Sequence, residues 1–83
     1  MYLEVITPDK KIFSGEVNGV LVPGAGGSFE MLNNHAAIIS SLSKGKLRIN
    51  SKESGVIVLQ IDGGIVEMKD NKVIVLVEKV VES

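Results

Sequence analysis

The sequence has no cysteine and no tryptophan, two prolines, only three aromatic residues (Tyr2, Phe13 and Phe29) and no excess of either charge. Without cysteine there is no disulfide framework, no thiol nucleophile and no Cys-ligated metal, so the core must hold by packing alone. Nine Lys plus Arg against ten Asp plus Glu leave a formal charge of -1. A nucleic-acid partner is not expected, because that role needs a basic stripe or an aromatic stacking platform. The longest apolar run, Val73 to Val77, is far short of the roughly 18–20 residues that span a bilayer. The N-terminus lacks the basic region and apolar stretch of a signal peptide. These absences predict a soluble, cytoplasmic chain with no direct membrane insertion, able still to serve a membrane machine from outside the lipid.

What the chain does have is valine and isoleucine: 21 of its 83 residues, against three Ala and one Thr. That balance favours strands over helices. Glycine and proline break the sequence into segments of strand length: Tyr2–Thr7, Lys11–Phe13, Gly15–Val22, Gly27–Met31, Ala36–Ser40, Lys46–Asn50, Val56–Asp62, Gly64–Lys69 and Lys72–Val77. Several alternate with a period of two, such as Leu47 and Ile49 between Lys46, Arg48 and Asn50, which is the mark of one buried and one wet face. Asp70-Asn71 reads as a two-residue hairpin turn, because both residues tolerate positive φ. Gly63-Gly64 reads as a tight turn or bulge. The fold class predicted is all-β, a two-sheet sandwich or flattened barrel of about eight to ten short strands in a single domain over residues 1–83.

Three segments break the alternation: Val20–Val22, Ala36–Ile39 and Val73–Val77 are apolar on both faces. A sandwich sheet has one inner face, so the outer apolar residues must be exposed, covered by a loop or meant for a partner. Pattern alone leaves two readings open, short buried strands in a small barrel and a protein-binding face.

No group of residues forms a catalytic constellation. The lone histidine, His35, sits in a turn before an apolar segment, and a metal would need further ligands from scattered carboxylates such as Glu30. Pro23-Gly24-Ala25-Gly26-Gly27 lacks both phosphate-loop fingerprints and is followed by no helix signal, so it reads as a turn between strands. Glu4, Glu16, Glu30, Asp62 and Glu67 fall among polar neighbours on strand faces, where solvated carboxylates are the expectation. No cofactor and no metal site are expected. A small regulatory ligand-binding β domain, built on the Gly-rich loop beside Glu30 and His35, is the alternative function.

Ordered along the chain are Leu3-Glu4-Val5-Ile6-Thr7-Pro8, Ile12-Phe13-Ser14-Gly15-Glu16-Val17, Gly27-Ser28-Phe29-Glu30-Met31-Leu32-Asn33-Asn34-His35-Ala36, Gly45-Lys46-Leu47-Arg48-Ile49, Gly63-Gly64-Ile65-Val66-Glu67-Met68 and Asn71-Lys72-Val73-Ile74-Val75-Leu76. Together they resemble the N-terminal β-sandwich domain of the epsilon subunits of F-type ATP synthases, over essentially the whole chain. The resemblance implies a noncatalytic rotor subunit that couples the gamma subunit to the c-ring, at the cytoplasmic face of the bacterial inner membrane. It implies a gamma interface at Thr7, His35, Ile38, Ile39 and Ser40. It also implies a c-ring-facing loop of Gly24, Ala25, Gly26, Gly27 and Ser28, with Glu30 beside it.

Four positions depart from the family's pattern. Ser28 stands for the usual Glu, Glu30 for a usual Gly, and Asn33 and Ala37 where prolines are common; fewer prolines make a looser turn. The family's C-terminal helical hairpin is expected to be absent after Glu78–Ser83, and without it no nucleotide binding is expected.

Overall fold

The computed structural model describes residues 1–81; residues 82 and 83, and with them the expected end of the domain at Ser83, lie outside the described residues. The described residues form seven strands and no helix: β1 (Tyr2–Ile6), β2 (Lys11–Val22), β3 (Phe29–Leu32), β4 (Ile38–Ser51), β5 (Gly55–Lys69), β6 (Lys72–Val77) and β7 (Val80–Val81). Neighbours follow the path β1-β6-β5-β4-β2-β3, and a further β1–β2 pairing closes it. Every pairing is antiparallel except β1–β6, which is parallel. The all-β sandwich expected from the sequence is the architecture observed.

The strands are fewer and longer than their glycine punctuation suggests. Lys11–Phe13 and Gly15–Val22 run on as β2, Val56–Asp62 and Gly64–Lys69 as β5, and Lys46–Asn50 continues a strand that starts at Ile38. Ala36 and Ala37 precede that strand, and the segment expected from Gly27 starts only at Phe29. The β4–β5 ladder keeps a single register from Ile38↔Met68 to Ser51↔Gly55, so Gly63-Gly64 is neither a turn nor a bulge. It is a bend: φ is 108° at Gly63 and 152° at Gly64, and a Cβ on Gly64 would lie 2.2 Å from the Leu76 carbonyl oxygen. A residue without Cβ signals a turn in sequence, but the same freedom also lets a long strand coil without losing its ladder.

Bending places the two halves of each long strand in different layers. The second half of β5 lies beside β6, which lies beside β1 and through it the first half of β2, while the first half of β5 shares a layer with the second halves of β4 and β2 and with β3. Between the layers sit Leu3, Val5, Val17, Val20, Met31, Leu47, Ile49, Ile61, Val66, Met68, Val73 and Val75, all fully buried. Each such side chain contributes roughly 1.5–3 kcal/mol by leaving water.

The Asp70-Asn71 turn is as read. Both residues have positive φ, 52° and 60°, and Lys69 faces Lys72 across the hairpin, the geometry of a type I′ turn. Asn71 also ties down two other segments: its Oδ1 accepts from the Asn34 N–H at 2.8 Å and its carbonyl accepts from the Tyr2 N–H at 3.2 Å.

Candidate partner-binding faces

Along the first half of β4 the side chains alternate. Leu42 is buried and Ile38 and Ser40 are half-buried, while Ile39 and Ser41 point outward, Ile39 with 70% of its surface exposed. The register carries this outer face across the sheet. One row reads Ile39, Glu67, Ile74, Glu4 and the next Ser41, Ile65, Leu76, Ile6. Ile65 and Leu76 are 48% and 49% exposed, and Ile6 and Ile74 are half-buried. The apolar band so formed crosses four strands and ends in a shallow groove of about 380 Å³ between Ile6, Pro8, Ile65 and Leu76.

Of the five residues expected at the gamma interface, Ile39 alone turns an apolar side chain to solvent. Ile38 packs against the core. Thr7 is buried in the turn after β1, where its hydroxyl donates to the Lys10 carbonyl at 3.1 Å and accepts from the Lys10 N–H at 3.2 Å. Ser40 Oγ donates to the Ser41 carbonyl at 3.2 Å. His35 lies in a turn closed by its own N–H to the Leu32 carbonyl at 3.1 Å, with Nδ1 2.8 Å from the Ala36 carbonyl. That is the hydrogen-bonded turn its sequence context suggests. Thr7 and His35 sit near opposite ends of β1, which spans about 17 Å at ~3.3 Å per residue. Ile6, Ile65 and Leu76 belong to the face but were not picked out by sequence, although the two-sided pattern of Val73–Val77 already marked Leu76.

The Gly24–Ser28 loop is anchored at its base and bare at its tip. Gly24 bridges to Leu42, the Ala25 N–H donates to the Ser41 carbonyl at 2.9 Å, and Gly27 donates to Gly24 at 3.0 Å. Gly24 has no room for a side chain, since a Cβ would meet the Gly27 carbonyl oxygen at 2.6 Å and the Phe29 ring at 2.7 Å. Ala25, Gly26, Gly27 and Ser28 are exposed. The Gly24, Ala25 and Gly27 amides are all engaged within the protein, so these three are not available to an anion. Glu30 stands exposed on β3 opposite Leu21, and its carboxylate lies over Gly19. The loop's hydrogen bond to Ser41 places it on the strand that carries Ile39, so both expected partner regions meet at β4.

Two polar features were not legible from sequence. Glu4, expected on a solvated face, is largely shielded between Lys11 at 2.6 Å and Lys72 at 3.4 Å, and Lys72 also lies 5.8 Å from the centre of the Tyr2 ring. The hydrogen bond from Lys11, helped by its charge and by Lys72, holds the Glu4 carboxyl below the usual range, and the same contact raises Lys11. The second feature is the terminal ammonium of Met1, which donates to Asn33 Oδ1 at 2.7 Å and lies 3.4 Å from Glu16. Asn33, standing where a proline is common, is thus employed in holding the turn. Among the described residues no three of His, Asp and Glu gather as a metal would require.

The whole chain, residues 1–83, matches the family described as ATP synthase, Delta/Epsilon chain, beta-sandwich domain. It is 41% identical over 78 residues to the ATP synthase epsilon chain of Chlorobaculum tepidum, covering 94% of this chain and 89% of that one. With the epsilon chain of Leptospira interrogans it shares 41% over 76 residues, covering 92% of this chain but 59% of the relative, so the relatives differ in length. In fold it is similar to a chain of the Euglena gracilis mitochondrial ATP synthase, in a structure of OSCP, F1 and c-ring. There the TM-score is 0.87 at 21% identity, over 95% of this chain and 51% of the other. A chain of the Tetrahymena thermophila central stalk and c-ring gives 0.83 at 19%, over 99% and 66%. The chain therefore belongs to the ATP synthase delta/epsilon family, as the β-sandwich of an epsilon-type, noncatalytic subunit.

Proposed function

We propose that the protein couples the gamma subunit to the c-ring in the central stalk of an F-type ATP synthase, at the cytoplasmic face of a bacterial inner membrane. The observation that carries this reading is the apolar band from Ile39 through Ile65 and Leu76 to Ile6, too continuous for a sheet face meant for water. Gamma covers this band, and the exposed loop Ala25–Ser28, next to the same strand, faces the polar loops of the ring. In this arrangement the subunit does no chemistry. It resists slip, because an apolar seat and a polar contact on one rigid sandwich transmit torque without a hinge between them.

Burying Ile39, Ile65 and Leu76 is worth roughly 1–2 kcal/mol each, given how much of each is still exposed. Calorimetry with purified gamma tests the reading. Ile39→Asp and Ile65→Asp should each weaken binding by at least roughly thirtyfold, the cost of about 2 kcal/mol for burying an unpaired carboxylate. Both side chains are outward, so circular dichroism should show the variants folded. Folded variants that bind gamma as tightly as the parent would remove this face from the interface.

A further inference from the structure

The row Ile39, Glu67, Ile74, Glu4 puts two carboxylates into the apolar band, and their surroundings differ. Glu4 is largely shielded and holds two cations, Lys11 at 2.6 Å and Lys72 at 3.4 Å. Glu67 is exposed and has no ion-pair partner among the described residues. The two residues beyond these, Glu82 and Ser83, carry no cationic side chain. Lys69, two positions along β5 and so on the same face, makes no salt bridge with it. Glu67 is the direct register partner of Ile39 on one side and of Ile74 on the other, across strands ~4.8 Å apart. Ile65 precedes it by two residues on the same face. A surface that covers these three isoleucines cannot leave the Glu67 carboxylate in water.

We propose that the gamma surface covering this band presents a lysine or arginine to Glu67, which makes Glu67 a specificity-determining residue of the interface. This rests on gamma covering the band, as proposed above, and names what gamma carries there. A carboxylate taken from water without a counter-charge opposes docking, whereas one that meets a cation does not. Glu4 cannot select a partner in this way, because Lys11 and Lys72 already neutralise it. Isoleucines alone would accept any apolar surface of matching shape. An unneutralised carboxylate among them rejects apolar and acidic surfaces and admits a cationic one, so discrimination comes from the charge and contact area from its neighbours.

Calorimetry of this protein with purified gamma is the test. Glu67→Gln, which keeps the shape and removes the charge, should weaken binding roughly tenfold, and Glu67→Lys roughly hundredfold or more. Glu67 points outward, so both variants should keep the circular dichroism of the parent. Replacing gamma's lysines and arginines by glutamate one at a time should yield a variant that restores affinity for Glu67→Lys. If no folded gamma variant does so, Glu67 has no cationic partner and the proposal is overturned. Ile39→Asp is the control for the band itself. If it weakens binding while Glu67→Gln binds as well as the parent or better, gamma still sits on the face but carries no cation there, and Glu67 only keeps free subunits from associating with one another. If Lys69→Gln weakens binding as much as Glu67→Gln, the counter-charge comes from this chain's own β5 and not from gamma. Unchanged binding of Ile39→Asp would take gamma off the band and Glu67 out of its interface.

Discussion

Gly64 is the position where the fold depends most sharply on one missing methyl group. Alanine there would set its Cβ 2.2 Å from the Leu76 carbonyl oxygen and 3.0 Å from Val77 Cγ1, at a φ of 152°. The Leu76 carbonyl is backbone within the β5–β6 ladder and cannot swing aside as a side chain would. Overpacking of this kind costs ~1–3 kcal/mol, and positive φ at a residue with Cβ adds ~1–2 kcal/mol. Against these, alanine's smaller entropy loss on folding returns ~0.4–1 kcal/mol. The net expectation is about 2–4 kcal/mol of destabilisation, a large part of the roughly 4–12 kcal/mol that ~0.05–0.15 kcal/mol per residue gives a domain of this size.

The assay is thermal and urea unfolding of Gly64→Ala, Gly63→Ala and Gly26→Ala side by side. Gly26 has open space where its Cβ would go and is expected to be neutral or slightly stabilised. Gly63, with φ 108° and the Leu42 carbonyl oxygen at 3.3 Å, should fall between. For Gly64→Ala the melting temperature should drop by about 10–30 °C, at ~4–8 °C per kcal/mol for a domain of this length. Because Gly64 lines the groove with Ile65 and Leu76, gamma binding should also weaken at temperatures where the variant is folded. If Gly64→Ala melts within a degree or two of Gly26→Ala, the bend in β5 is not what the glycine provides.

The remaining predictions concern polar anchors. Glu4 has its carboxyl lowered by Lys11 and Lys72, so its contribution is present at neutral pH and is lost as pH falls through the carboxylate range near 4.5 and below. Lys11 is raised, so its side of the same contact persists below 10.5 and disappears as pH rises above it. Glu4→Gln should therefore flatten the acid limb of a stability-against-pH curve measured by urea unfolding; an unchanged acid limb would assign that limb to other carboxylates. Asn71→Ala keeps a φ of 60° without the side chain that tolerates it and loses the bond to Asn34. A loss of about 1–2 kcal/mol is expected, and Asn71→Gly should lose less because it relieves the backbone. Equal losses in the two variants would show that the hydrogen bond, not the dihedral, is what matters.

Sequence carried the class of fold because the signals for it are local. Leu47 and Ile49 alternate with charged and polar neighbours, and Asp70-Asn71 is a turn whose chemistry is complete in two residues. It did not carry strand length. Gly63-Gly64 and Gly45 look like breaks when read along the chain, and only the partner strand shows that the ladder runs through them. The site divides the same way. Ile39 stood out as an apolar residue on a two-sided segment, but Ile6, Ile65 and Leu76 are brought to it by β1, β5 and β6, far apart in sequence. Thr7 drew notice as a match to an interface position, while in the structure its hydroxyl is already spent on Lys10. The Glu4 cluster depends on β2 and β6 arriving on either side of β1, which no spacing within Leu3–Pro8 encodes.

The parallel pairing of β1 with β6 matches Tyr2 with Lys72 through Ile6 with Leu76, and it bears on how the protein is made. β1 must wait until β6 has been made before that edge is satisfied, so the barrel cannot close on a growing chain that has not yet reached β6. Ile6 and Leu76, neighbours in the apolar face, are far apart in sequence and meet only through this pairing. A chain stopped before β6 therefore lacks Leu76 and leaves the β1 edge unpaired, so the apolar face is built only once both strands are present.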